Sequence, residues 1–350
     1  MSKGQRGMKI IFAGTPATAV PSLEQLLHDG YEVCAVLTRE PKPRGRKRIL
    51  TKSEVHQAAE KHGIPVYTPK NLRGEESENL IRELAPDAVV VVAYGVIIPK
   101  NLLDVPTHGW INLHFSLLPR WRGAAPVNYA IAAGDTHTGT AIFRIGEGLD
   151  TGPVFDIEET QIGANETAGE LLERLAFSGA QQISRVLQKI GDGELQAREQ
   201  EGEATTAPQF TSEWGHIDWT QPAEVVSARV RSATPVPGAW TTLHGQRFKI
   251  GKLQSLEHNA LSNGEACAHE KQGEGSVSGN VEQSKSQILE GTAVVRGEKL
   301  MPGEISAEGY VGTGTMPIRL GEVAPPGKTW MKATDWLRGA RLEQGTCFGS

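Results

Sequence analysis

Apolar residues in the first half of the chain fall into two alternating patterns. Short unbroken runs, KIIFA at 9–13, VCAVL at 33–37 and DAVVVVAYG at 87–95, have the length and β-branched content of strands. Between them the spacing is helical. Val20, Leu23, Leu26 and Leu27 share one face, with Gly30 as the C-cap. Ser53 caps a second helix bearing Val55, Ala58 and Ala59 and closed by Gly63, and another runs near 78–84. This alternation predicts an α/β fold, a doubly wound and mostly parallel sheet. The continuous apolar run at 87–95 marks a central strand buried on both faces.

The pattern changes at 111–116. Ile111, Leu113 and Phe115 alternate with Asn112, His114 and Ser116, the period of a half-buried strand. Its polar face carries an amide, an imidazole and a hydroxyl, groups that can donate to a developing oxyanion and move a proton. Pro119 and Gly123 then turn the polar face into a loop. A second loop, GEGLDTGP at 146–153, follows the apolar run at 140–145 and encloses Asp150 in glycines. Asn112, His114 and Asp150 on neighbouring strand ends make an acid/base set. The plainer alternative is a buried strand whose polar groups only satisfy the backbone.

A helix is expected at 126–133 and strands at 140–145 and 154–157. A long helix begins at the capping box of Thr167 and Glu170, buries Leu172, Leu175, Ile183, Val186, Leu187 and Ile190, and ends at Gly191-Asp192-Gly193. The polar residues 191–208 read as a linker between an amino-terminal domain at 8–190 and a second at 209–350. In the second, short apolar runs at 239–243, 247–251, 292–295 and 316–320 alternate with glycine turns and predict a small β-barrel. Residues 257–287 are rich in Ser, Gly, Glu and Gln and read as a disordered insertion.

The net charge of −5 does not advertise a nucleic-acid partner. Its distribution does more: residues 39–48 hold Arg39, Lys42, Arg44, Arg46, Lys47 and Arg48 against one acid, Glu40. Pro41, Pro43 and Gly45 are expected to keep this stretch out of regular structure. Such runs are usually solvated faces, but a basic loop at the strand-end side of a site is also where phosphates would be met. The three cysteines, Cys34, Cys267 and Cys347, are far apart, with no metal spacing and no disulfide framework. The apolar run after Met8 is too short for a membrane span. A cytoplasmic, monomeric protein without a metal is expected.

The segments INLHFSLLPRWRGAAP and GLDTG resemble those of the formyltransferases that use 10-formyltetrahydrofolate, and the resemblance covers nearly the whole chain apart from the insertion. It implies a Rossmann-like amino-terminal domain and an OB-like β-barrel at the carboxyl end. It implies Asn112, His114 and Asp150 as the catalytic residues. It also implies folate binding by Ser116, Leu117, Leu118 and Pro119 and by the loop Tyr94, Gly95, Val96 and Ile97. The WRGAAP extension and the carboxyl-terminal half point to family members acting on methionyl initiator tRNA. Arg44, Arg46, Lys47 and Arg48 would then lie against its acceptor arm. Asn112 and a charged His114 would stabilise the oxyanion, with Asp150 holding the imidazolium.

Three other readings keep part of this pattern. A formyltransferase for a small amine would need the same three residues but neither the basic loop nor the barrel. A hydrolase would release formate from the same folate. An RNA-binding module on an inactive α/β domain would not need Asn112, His114 and Asp150 together.

Overall fold

The computed structural model describes residues 7–45, 47–254, 293–295 and 298–349. Arg46, Cys267 and the insertion expected at 257–287 lie outside the described residues. The chain divides into two compact units, the first formed by 1–215 and 228–239, the second by 216–227 and 240–350.

The first unit is built in alternation. Its elements run β1 (Lys9–Gly14), α1 (Val20–His28), β2 (Glu32–Leu37), β3 (Lys42–Arg44), β4 (Ile49–Thr51), α2 (Glu54–Lys61), β5 (Val66–Tyr67), α3 (Glu75–Leu84), β6 (Ala88–Val92) and α4 (Lys100–Leu103). They continue with β7 (Trp110–His114), β8 (Arg122–Gly123), α5 (Pro126–Ala132), β9 (His137–Arg144), β10 (Val154–Gln161), α6 (Ala168–Gly191) and β11 (Thr206–Ala207). One seven-stranded sheet has the order β10-β9-β7-β6-β1-β2-β5. Strands β5, β2, β1, β6 and β7 are parallel, and β9 and β10 are antiparallel. Every residue of β6 is buried, as its unbroken apolar run requires.

Both faces of this sheet are covered. On one, Ile10, Phe12, Val90, Ile111 and Leu113 pack with Leu23 and Leu26 of α1 and Leu171, Ile183 and Leu187 of α6. On the other, Ile11, Leu37, Val91 and Trp110 pack with Ile81 of α3 and Leu102 of α4. Helix α6 opens with the expected capping box, Thr167 and Glu170 bonding each other's backbone. No helix among the described residues is long and apolar enough to cross a membrane.

Two stretches differ from the sequence expectation. The basic stretch after β2 is a regular hairpin: β3 and β4 pair antiparallel, Arg44 opposite Ile49. Gly45 at φ 70° and Arg48 at φ 49° reverse the chain, and Pro43 is tolerated because a two-stranded ribbon leaves half its N–H positions unpaired. The expected linker, 191–208, is bonded into the first unit. Strand β11 pairs with β8, and Arg198 bridges Val154 at the sheet edge. Gln200 and Thr205 of this stretch bond backbone groups of other segments, and no apolar period announces it.

Helix α7 (Ala223–Ala233) begins in the second unit and ends in the first. The second unit adds β12 (Ala239–Leu243), β13 (Gln246–Ile250), β14 (Ala293–Val295), β15 (Glu298–Leu300), β16 (Tyr310–Val311), β17 (Ile318–Arg319), β18 (Glu322–Ala324), β19 (Met331–Lys332) and α8 (Ala333–Ala340). A four-stranded sheet runs β12-β13-β18-β19, and β14-β15 and β16-β17 form antiparallel pairs. A closed barrel is not traced among the described strands. An aromatic core of Trp219, Phe248, Trp336 and Phe348 holds this unit, with Trp219 Nε1 donating to Thr241 Oγ1 at 3.0 Å.

Candidate active site

Strand β7 positions the first two site residues. Its alternation turns Ile111 and Leu113 into the core under α6 and leaves Asn112 and His114 on the other face. Asn112 lies beside Val91 of β6 and Phe143 of β9. Its side chain is partly exposed and makes no hydrogen bond among the described residues. His114 is 5% exposed, its ring edge-on to Phe143.

His114 Nε2 lies 2.9 Å from the carbonyl oxygen of Trp121. A carbonyl only accepts, so Nε2 carries the proton. In the neutral ring Nδ1 is therefore a free lone pair, and it faces Asp150 Oδ2 at 3.8 Å. Burial pushes the imidazole pKa below its ordinary value; Asp150 and the bond to Trp121 oppose this less strongly. Desolvation thus works against the charged ring that the sequence led us to expect, and Asp150, beyond hydrogen-bond distance, offsets it only in part.

Asp150 arrives by an unexpected route. Strand β9 ends with Arg144 opposite Ile111, and the amide of Ile145 bonds the carbonyl of Trp110 at 2.7 Å. The glycine loop therefore starts beside the amino-terminal end of β7 and folds back across the sheet face to reach His114. Asp150 has φ 50°, and its Oδ2 accepts from the amide of Gly123 at 2.7 Å. Two glycines allow this approach. A Cβ on Gly152 would overlap the carbonyl oxygen of Arg144, and one on Gly123 would stand 2.5 Å from that of Ala207.

Gln200, inside the expected linker, completes the arrangement. Its Nε2 donates to the carbonyls of Asp150 and Gly152, both at 2.8 Å. Its Oε1 accepts from Arg122 Nε at 3.1 Å and Nη2 at 2.6 Å. Thr205 Oγ1 accepts from the amide of Trp121, whose carbonyl holds His114. Neither residue carries a motif or a period; their role exists only through long-range contact.

The residues expected around the folate divide into buried and presented groups. Ser116 is fully buried and donates to the carbonyl of Arg120 at 2.6 Å, so it fixes the loop. Leu118 packs against Ala141 and Phe143, Pro119 is buried, and Leu117 is half-buried. Tyr94 is 2% exposed in the core; its hydroxyl has no hydrogen-bond partner among the described residues, and burial pushes its pKa up to about 12. Its ring packs in the core cluster that also holds Ile11 and Leu102. The carbonyls of Tyr94 and Gly95 accept from Thr15 and Arg39. Val96 is half-buried and Ile97 is 78% exposed, so these two present the apolar surface.

On the hairpin, Arg44 is paired with Glu54, while Lys47 and Arg48 are exposed and form no ion pair among the described residues. Ile49 and Leu50 beside them are exposed as well. Among the described residues no group of three or more His, Cys, Asp or Glu could hold a metal ion.

Residues 8–187 match the formyl transferase family, and 209–341 match its C-terminal domain. The chain belongs to the formyl transferase family. It is 44% identical over 349 residues to the methionyl-tRNA formyltransferase of Corynebacterium glutamicum, covering 97% of this chain and 100% of that one. Against the methionyl-tRNA formyltransferase of a Nocardioides species the identity is 42%, over 98% of each chain. Among solved structures, the methionyl-tRNA formyltransferase from Clostridium thermocellum superposes with a TM-score of 0.51 at 18% identity, over 71% of this chain and 94% of that one. A 4-N formyltransferase from Francisella tularensis gives 0.57 at 16%, over 70% and 96%. In both structural pairs the likeness is one of fold.

Proposed function

We propose that this formyl transferase carries the formyl group of 10-formyltetrahydrofolate to the α-amino group of methionyl initiator tRNA. The observation that carries the reading is identity of 42–44% running through both halves of the chain to relatives named for that activity. A small-amine transferase accounts for the amino-terminal unit but leaves the matched carboxyl-terminal region without a task.

The neutral amine attacks the formyl carbon, and charge develops on the formyl oxygen. The unpartnered amide of Asn112 donates to that oxygen. His114 Nδ1, the free lone pair, takes the proton lost by the attacking nitrogen. The carboxylate of Asp150 stabilises the imidazolium formed in that step. The bond from the formyl carbon to N10 of the folate then breaks, and N10 leaves with the proton from His114. Val96 and Ile97 provide apolar surface for the flat heterocycle, and Ser116 to Pro119 shape the loop beneath it. Lys47 and Arg48 face the phosphates of the acceptor arm, with Arg44 on the same hairpin.

The test incubates the protein with 10-formyltetrahydrofolate and methionyl-tRNA and scores formylmethionine. Formylation of a free sugar amine in preference to the tRNA, or release of formate without an acceptor, would overturn the reading.

A further inference from the structure

Asp150 occupies a backbone conformation with φ 50°, which residues other than glycine adopt rarely and only where their surroundings hold them. The loop around it is rich in glycine, so the loop itself supplies little stiffness. Two carbonyls of this loop, those of Asp150 and Gly152, end on one side-chain amide, that of Gln200. The same amide takes two hydrogen bonds from the guanidinium of Arg122. A primary amide offers two donors and two acceptors in one plane, and all four are used here.

The connections close on themselves. The amide of Gly123 holds the Asp150 carboxylate, Gly123 follows Arg122, Arg122 holds Gln200, and Gln200 holds the Asp150 backbone. The pairing of Arg122 and Gly123 with Thr206 and Ala207 ties the strand to the segment that carries Gln200. Backbone and carboxylate of Asp150 are thus fixed from one rigid frame, and its Oδ2 is held facing His114 Nδ1.

We infer that Gln200 is a positioning residue: it clamps the Asp150 loop so that the carboxylate stays within range of His114. The inference rests on the reading of Asp150 and His114 as a proton-handling pair. Gln200 touches neither substrate nor reacting atoms in this account; it acts through Asp150. Catalytic geometry is sensitive enough for this to matter, since a displacement of about 1 Å can cost about 100-fold in rate.

The experiment uses the full-length protein with Gln200→Ala, Gln200→Glu, Asp150→Asn and the Gln200→Ala/Asp150→Asn double variant. It measures kcat, KM for both substrates, the pH dependence of kcat and the melting temperature. Gln200→Ala is expected to lower kcat about 10-fold or more, with both KM values within about 2-fold. It should also move the acid limb of the pH profile to lower pH, because His114 loses part of the carboxylate that supports its protonated form. Gln200→Glu keeps the shape and the partner for Arg122 but turns lone pairs toward two carbonyls, so it should lose at least as much activity as Ala. In the Asp150→Asn background, Gln200→Ala should cost little more, since both changes remove the same interaction. An unchanged kcat in both Gln200 variants, with Asp150→Asn impaired, would overturn the clamp and leave the proton-handling pair standing. A full additive loss in the double variant would likewise assign Gln200 a merely structural part. An Asp150→Asn enzyme at the wild-type rate would overturn the pair itself and remove what the clamp serves.

Discussion

His114 donates through Nε2 to the carbonyl of Trp121 at 2.9 Å. That bond leaves Nδ1 as the nitrogen that exchanges a proton, and it makes Asp150 a partner for the charged state formed during reaction.

A pH profile tests this assignment. Burial lowers the His114 pKa, and Asp150 counters it only in part. With the neutral ring active, kcat should fall on the acid side with a midpoint below the ordinary imidazole value of about 6.5. Asp150→Asn removes the opposing charge, so the midpoint should move further to acid while kcat drops about 100-fold. A profile that holds its activity at acid pH and falls on the alkaline side would show that the charged ring is the active form. Stability has a related sign. The unfolded chain takes the proton first, so the stabilising contribution is complete above about pH 6.5 and is lost as pH falls through the folded value.

Asn112 allows a clean separation of stability from activity. Its amide has no partner among the described residues, so Asn112→Ala should leave the melting temperature nearly unchanged. Turnover should fall by about 100- to 1000-fold, the scale for losing an oxyanion donor. Single-turnover rates beside thermal melts check both halves, and a large loss of stability would place the amide in the scaffold.

Gly152→Ala and Gly123→Ala should each destabilise the first unit by about 1–3 kcal/mol, the range for overpacking. Each inserts a Cβ against a backbone oxygen that belongs to the site's own frame. Gly123→Ala should also depress kcat, because the displaced amide is the one that holds Asp150. Denaturant melts paired with initial rates read the two effects, and wild-type values for both would refute the close approach.

Lys47 and Arg48 stand exposed at the hairpin turn. Replacing both with Ala should raise KM for methionyl-tRNA and flatten its dependence on salt by about 0.7–0.9 of a log unit for each phosphate no longer neutralised. The KM for the folate should not change. Rates across several salt concentrations make the comparison; equal slopes would take the hairpin out of the tRNA interface.

Local physics made the framework of the first unit readable in advance. The β-branched run in β6 has only one stable place, a strand covered on both faces, and the alternation in β7 puts Asn112 and His114 on one side whatever lies around them. Thr167 and Glu170 bond within one helical turn, so that cap was also visible. Tertiary structure alone decided what depends on contacts distant in the chain. The charge of His114 follows from how thoroughly its neighbours exclude water, and no local pattern measures that. The loop bearing Asp150 folds back over the sheet because Gly123 and Gln200 hold it there. Gln200 is 50 residues from Asp150 in sequence, in a polar stretch that shows no period. A polar side chain whose partners all lie far along the chain leaves no signature in its neighbours, and the site's rigidity is written in such contacts.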